Sequence, residues 1–206
     1  MSVLVKICGV TSVEDAWWAV RCGADFIGLN FFPESPRYVA MKTAGEILAV
    51  LPSQVRSVGV FVNAERSYVE SLVTKLQLDA VQFHGDEDLR DLQGWSCTTI
   101  KALRISPDDP FPAWQDYPVD CILLDTFKKG RYGGTGEIFP WERVAAIPLE
   151  LRRRLILAGG LTPENVRNAV HTVRPWAVDV ASGVESSPGK KDPEKVRAFI
   201  TNAKTA

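Results

Sequence analysis

Short apolar runs recur along the whole chain, and their rhythm constrains the fold more than any other feature. They fall at Val3–Cys8, Asp25–Asn30, Arg56–Phe61, Ala80–Phe83, Thr98–Ala102, Cys121–Asp125, Leu155–Ala158 and Ala177–Val180. Most are rich in Val, Ile, Leu or Phe without strict alternation, as expected of parallel strands covered on their outer face. Between them lie stretches with helical spacing, including Val13–Cys22, Lys42–Leu51, Ser67–Leu76, Pro163–Val173 and Pro193–Asn202. Thr11-Ser12-Val13-Glu14 predicts a capping box, in which a hydroxyl and a carboxylate satisfy free backbone donors. Thr162-Pro163 and Asp192-Pro193 each place a capping side chain before a proline at the first helical position. Eight strand-then-helix units over 206 residues, with no linker or composition shift, predict one α/β domain, residues 1–206. Its architecture is a (β/α)8 TIM barrel near the lower length limit. An open doubly wound sheet is the competing arrangement. For dinucleotides it carries G-x-G-x-x-G after the first strand, whereas here that strand ends Cys8-Gly9-Val10-Thr11. Pro107, Pro110, Pro112 and Pro118 crowd the segment after the fifth strand, so the fifth helix is expected to be absent or a single turn. No residue-level repeat between the halves stands out.

Composition excludes several functional classes. Lys+Arg number 24 against 25 Asp+Glu, a net charge of -1, which argues against nucleic acid as the partner. No apolar run approaches the roughly 18–20 residues of a membrane span, and the N-terminal stretch is too short for a signal peptide. The four cysteines are scattered without a C-x-x-C pair, the pattern of a reduced, cytoplasmic protein. The two histidines lie far apart, so no metal site is expected. Walker and G-x-S-x-G motifs are missing too.

In a barrel the chemistry sits at the C-terminal strand ends. Two of these carry small residues, Ala158-Gly159-Gly160 and Ala181-Ser182-Gly183, where backbone N–H groups can approach a phosphate. A short helix beginning near Ser182-Gly183 would aim further N–H groups at the same anion. Cys8 ends the first strand on the same face as Lys6, whose ammonium would favour a thiolate able to act as base or nucleophile. A small buried hydrophobe is the alternative. Asp125 closes an apolar strand, either as a general acid or as a cap for the next loop. Arg37, in a loop stiffened by Pro33 and Pro36, could grip a carboxylate or form a surface ion pair. Gln82, on one strand face with His84, and Asp179 are further substrate-contact candidates. The stretch from Lys128 to Gly136, within the 126–139 loop, is either a cationic lid or a plain solvated loop.

Together these residues resemble phosphoribosylanthranilate isomerases. The matching stretches are Lys6-Ile7-Cys8-Gly9-Val10-Thr11, Ser35-Pro36-Arg37-Tyr38, Val81-Gln82-Phe83-His84-Gly85, Leu123-Leu124-Asp125, Gly133-Gly134-Thr135-Gly136, Ala158-Gly159-Gly160-Leu161 with Pro163-Glu164-Asn165-Val166, and Asp179 to Glu185 followed by Pro188-Gly189-Lys190. The resemblance implies an Amadori rearrangement of N-(5-phosphoribosyl)anthranilate in tryptophan biosynthesis. It implies Cys8 as general base, Asp125 as general acid and Arg37 as partner of the anthranilate carboxylate. Gly159, Gly160, Ser182 and Gly183 would hold the phosphate. A small phosphosugar substrate, a monomer or homodimer, and no metal or redox cofactor are expected. Alanine stands at Ala158 and Ala181, where relatives are associated with serine. The histidine-pathway aminoaldose isomerases perform the same rearrangement on a bulkier substrate with two phosphates, but use aspartate where Cys8 stands. A phosphate sensor that kept the cradle and lost catalysis is the non-enzyme alternative.

Overall fold

The computed structural model describes residues 2–105, 116–126 and 141–206. Eight parallel strands close into a barrel in chain order: β1 (Leu4–Cys8), β2 (Phe26–Asn30), β3 (Arg56–Phe61), β4 (Ala80–Phe83), β5 (Thr98–Ile105), β6 (Cys121–Thr126), β7 (Leu155–Leu157) and β8 (Ala177–Val180). Strand β8 pairs with β1, Lys6 lying opposite Asp179, so the open-sheet alternative is excluded. Helices α1 (Val13–Cys22), α2 (Met41–Leu48), α3 (Arg66–Leu76), α4 (Trp141–Ala145), α5 (Leu149–Arg152), α6 (Val166–Val173) and α7 (Pro193–Lys204) are the described helices of the outer layer. A 3-10 turn, Ser182–Val184, and a small hairpin of β9 (Glu185–Ser187) and β10 (Lys190–Lys191) precede α7.

Because strand side chains alternate between two faces, every second residue enters the lumen. The inward set is apolar at the N-terminal end, where Phe26, Val58, Ala80, Ile100, Cys121, Ile156 and Ala177 pack together. The other face packs against the helices through Val5, Ile7, Ile27, Leu29, Ile122 and Leu124. The same inward parity continues into Lys6, Cys8, Gln82, His84, Asp125 and Asp179 toward the C-terminal end. Polarity is thus confined to one end of the lumen.

The barrel's other rim carries a repeat that the sequence alone did not announce. An aspartate just before each of three even-numbered strands reaches back to the strand before it. Asp25 accepts from Val5 N (2.8 Å), Asp79 from Ser57 N and Oγ (2.7 and 2.8 Å), and Asp120 from Thr99 N and Oγ1 (2.8 and 2.9 Å). These bonds set the stagger of each strand pair at its start.

Several local expectations are corrected. The capping box expected of Thr11 and Glu14 gives way to another cap: Thr11 Oγ1 donates to Gly189 O at 2.6 Å, and Ser12 caps α1 instead, its Oγ accepting from Asp15 N at 3.1 Å while the Asp15 carboxylate accepts from Lys191 N. Thr162 does not start α6, which begins three residues after Pro163; Asn165 instead ties the loop, accepting from Thr162 N and donating to Gly160 O. Asp192 caps α7 as expected, accepting from Glu194 N and Lys195 N. The fourth strand–helix unit has no helix. Residues 84–97 run as turns, because they offer few large apolar side chains: Leu92 is buried and Trp95 packs at a tilt against Phe83. Arg66 holds the segment by donating to the carbonyls of Gln93 and Gly94. On the segment between β5 and β6, residues 116–120 contain no α-helix, as the prolines predicted, while 106–115 lie outside the described residues. The same holds for the proposed lid and for Gly133-Gly134-Thr135-Gly136.

Replacing Asp79 by Ala should lower unfolding stability by roughly 1.5–3 kcal/mol, the value of a hydrogen bond to a charged group. Urea denaturation tests this, and an unchanged midpoint would show that the clamp carries no weight.

Candidate active site

Inward parity at the C-terminal ends of β1 and β8 produces a buried charge cluster. Lys6 Nζ and Asp179 Oδ1 are 2.8 Å apart, with side chains only 2 % and 9 % exposed. A lone buried charge is prohibitively solvent-starved, so each requires the other. Cys8 stands one step above Lys6. Gly28, its register partner on β2, leaves the space they occupy: a Cβ there would lie 2.9 Å from Cys8 Sγ and 3.0 Å from Lys6 Nζ. The thiol and the ammonium therefore converge on one spot.

Burial pushes the Cys8 thiol up; Lys6 pulls it back, Asp179 pushes it up again and Lys191 opposes that, leaving it above its ordinary value. The expectation that Lys6 would favour thiolate has the right sign but not the outcome, because burial, the largest effect, and then the Asp179 charge both act against it. For Lys6 burial acts downward, yet Asp179 and Cys8 outweigh it and hold the ammonium above its usual range. Cys8 itself is buried.

Arg37 is delivered by a tightly wound loop. Asn30 Oδ1 accepts from Phe32 N, Asn30 Nδ2 donates to Ser35 Oγ, and that hydroxyl oxygen accepts from Arg37 N. The arginine stem lies over Gly9, whose left-handed backbone (φ 70°) and missing side chain admit it: a Cβ would meet Arg37 Cδ at 2.4 Å. Its guanidinium holds Glu185 in a two-bond fork, 2.8 and 2.7 Å. Glu185 also accepts from Lys191 Nζ at 2.9 Å, and Lys191 donates to the carbonyl oxygens of Cys8 (2.6 Å) and Ala181 (3.2 Å). Burial alone would raise Glu185, but its bonds from Arg37 and Lys191 bring it below the ordinary carboxylate value. The sequence reading found Arg37 but not Glu185 or Lys191. Their signal was a charge pair beside the Pro188-Gly189 turn, read only as family pattern.

Across the mouth, Asp125 on β6 is buried, with Oδ2 3.3 Å from His84 Nε2. Asp125 and Asp179 line one cleft together with Ala158, Gly159, Gly160, Leu161, Ala181, Ser182 and Gly183. Gly159 and Gly160 have φ of 79° and 67°, left-handed values that glycine adopts without strain. Gly183 is compelled by packing: a Cβ would sit 2.0 Å from Leu161 O. The structure therefore brings Asp125, Asp179 and the four cradle residues to one cleft, and contact through Lys6 joins Cys8 to it. Gln82 lies deeper, 1 % exposed, against His84 instead of in the cleft. Among the described residues, no group of three or more His, Cys, Asp or Glu side chains could hold a metal ion.

Two aspartates line a cleft that ends in two glycine-rich loops, and a buried thiol is linked to it through Lys6. A family model described as N-(5′-phosphoribosyl)anthranilate (PRA) isomerase matches residues 5–202. The chain belongs to the phosphoribosylanthranilate isomerase family. It is 50 % identical over 201 residues to the N-(5′-phosphoribosyl)anthranilate isomerase of Pseudomonas fluorescens (strain Pf0-1), covering 97 % of both chains. The solved phosphoribosyl anthranilate isomerase of Thermus thermophilus superposes with a TM-score of 0.87 at 38 % identity, covering 97 % of this chain and 98 % of that one. A further solved phosphoribosyl anthranilate isomerase, in complex with reduced 1-(o-carboxyphenylamino)-1-deoxyribulose 5-phosphate, gives 0.82 at 40 % identity, covering 99 % and 100 %. No described helix is long and apolar enough to cross a membrane.

Asp179→Asn should shift the Cys8 titration downward, since one upward push is removed and Lys6 is released toward the thiol. The pH dependence of Cys8 alkylation, followed by mass spectrometry of its peptide, tests this. A constant or upward-moving titration would refute the shared-ammonium account.

Proposed function

We propose that this chain catalyses the Amadori rearrangement of N-(5-phosphoribosyl)anthranilate to 1-(2-carboxyphenylamino)-1-deoxyribulose 5-phosphate, within tryptophan biosynthesis in the cytoplasm. The carrying observation is the cleft in which Asp125 and Asp179 stand beside the two glycine-rich loops, with Cys8 joined to it through Lys6. A relative at 40 % identity holds a reduced form of this product.

The chemistry assigns a task to each group. Asp125 gives a proton to the furanose ring oxygen; the C1′–O bond breaks, and the anilino nitrogen lone pair forms a C1′=N iminium. That cation acidifies C2′. The Cys8 thiolate takes the C2′ proton, and the C–H electron pair becomes the C1′=C2′ bond of an enolamine. Loss of the enol hydroxyl proton and protonation at C1′ give the ketone. The productive enzyme pairs a thiolate with a carboxylic acid, so one proton is distributed between two groups. Lys6 offsets part of the burial that disfavours the thiolate, and the iminium supplies a second positive charge as the base is needed.

Binding away from the reacting carbon positions the sugar. Backbone N–H groups around Gly159, Gly160, Ser182 and Gly183 receive the phosphate, Asp179 a sugar hydroxyl, and Arg37, steadied by Glu185, the anthranilate carboxylate.

Fluorescence-monitored turnover of freshly generated phosphoribosylanthranilate tests the reading directly. Cys8→Ala and Asp125→Asn should each lower kcat by at least about a hundredfold, the low end for a general acid or base. Near-normal turnover would remove that residue from the mechanism. Arg37→Ala should chiefly raise KM, and an unchanged KM would leave the carboxylate without its partner.

A further inference from the structure

The cleft accounts for Asp125, Asp179 and the glycine loops, but not for a buried lysine beside the first strand's end. Lys191 lies on β10 opposite Glu185 on β9, and its side chain is 1 % exposed. Its Nζ donates to Cys8 O at 2.6 Å, to Ala181 O at 3.2 Å and to Glu185 Oε1 at 2.9 Å. All three partners are acceptors, and only the ammonium form has three hydrogens to give. Every donor of this buried charge is used, the condition under which such a charge is tolerated. Burial lowers the Lys191 pKa most, Glu185 and Cys8 pull against it and Arg37 adds to it, leaving it below the ordinary lysine value.

The three acceptors belong to three parts of the site. Cys8 O ends the strand that carries the thiol, and Ala181 O directly precedes the Ser182–Gly183 turn. Glu185 is the carboxylate that grips Arg37 in a fork. The lysine is itself anchored from outside. Its N–H donates to Asp15 Oδ2 on α1 at 3.3 Å, and the next residue, Asp192, caps α7 and donates its own N–H to Val184 O at 2.9 Å.

We propose that Lys191 is a positioning residue that fixes the base, the phosphate cradle and the carboxylate-binding arginine relative to one another. This rests on the roles given above to Cys8, Ser182–Gly183 and Arg37. A substrate gripped at its phosphate and its carboxylate presents C2′ to the thiol only if the spacing of those three groups is set beforehand. Three bonds from one nitrogen set it across β1, β8 and the hairpin. The same charge acts on the thiol directly. The charged groups facing Cys8 are Lys6 on β1, Lys191 on β10 and Arg37 after β2, which favour the thiolate, and Asp179 on β8, which opposes it.

The experiment compares wild type, Lys191→Met and Lys191→Arg by two readouts: the pH dependence of Cys8 alkylation and steady-state turnover of phosphoribosylanthranilate. Lys191→Met removes the charge and the donors. It should move the Cys8 titration upward and lower kcat/KM by at least about tenfold, the equivalent of one hydrogen bond to a charged group. Arginine keeps the charge, but its planar fork cannot send three donors to three oxygens converging on one point. Lys191→Arg should therefore leave the titration close to wild type, lower kcat/KM by a similar factor and raise KM. Should neither variant fold, nitrogen NMR of the wild type decides: the Lys191 ammonium hydrogens should exchange slowly with water. Wild-type kcat/KM in either variant, an unmoved or lowered titration in Lys191→Met, or a rapidly exchanging Lys191 ammonium would overturn this inference alone. No turnover by the wild type would overturn the functional reading beneath it and leave the titrations untouched.

Discussion

Closure of eight parallel strands into a barrel forces alternate residues into a space from which water is excluded. Every polar residue with inward parity must find a partner there or reach the open end. This chain does both. Its inward residues are apolar at the N-terminal end and become Lys6, Gln82 and Asp179, then Cys8, His84 and Asp125, toward the mouth. The gradient places ionisable groups where a ligand can reach them and a packed core where one cannot.

The polar end is held by shared partners more than by isolated pairs. Lys6 serves Asp179 and Cys8, Glu185 serves Arg37 and Lys191, and His84 stands between Gln82 and Asp125. Sharing makes each group responsive to changes in the others. A lysine beside Cys8 therefore does not lower the thiol's pKa overall: burial pushes it up most, and the nearby aspartate adds to that. Breaking one member of such a buried pair exposes the full desolvation cost of the other.

Much of the fold was legible because it depends on local chemistry. The apolar runs gave every strand of the barrel, with Arg56–Phe61, Ala80–Phe83 and Ala177–Val180 matching end to end, but not the small β9–β10 hairpin. Asp192 before Pro193 marked α7 correctly, since an N-cap acts within three residues. The failures involve distant competitors. Thr11 fits a capping box with Glu14 but its hydroxyl is drawn to Gly189 O, far along the chain, and the acidic stretch after β4 replaces the expected helix with turns anchored by Arg66 and by Glu87, which pairs with Lys101 at 2.5 Å. The aspartates before β2, β4 and β6 were visible as letters, yet their common task appears only when strands lie side by side.

Residue order settled the eight barrel strands, most of the helices between them and the chemical types at the strand ends, because periodicity and capping act over a few residues, while the pairing of β8 with β1 closed the barrel. It also marked Cys8, Asp125, Arg37 and the paired glycines. Tertiary structure alone decided that Arg37 would reach the site paired with Glu185, that Asp179 would compete for Lys6, and that Gln82 would face His84 instead of the cleft. Those outcomes depend on electrostatics across strands separated by as much as the length of the chain, where sequence distance says nothing about spatial distance.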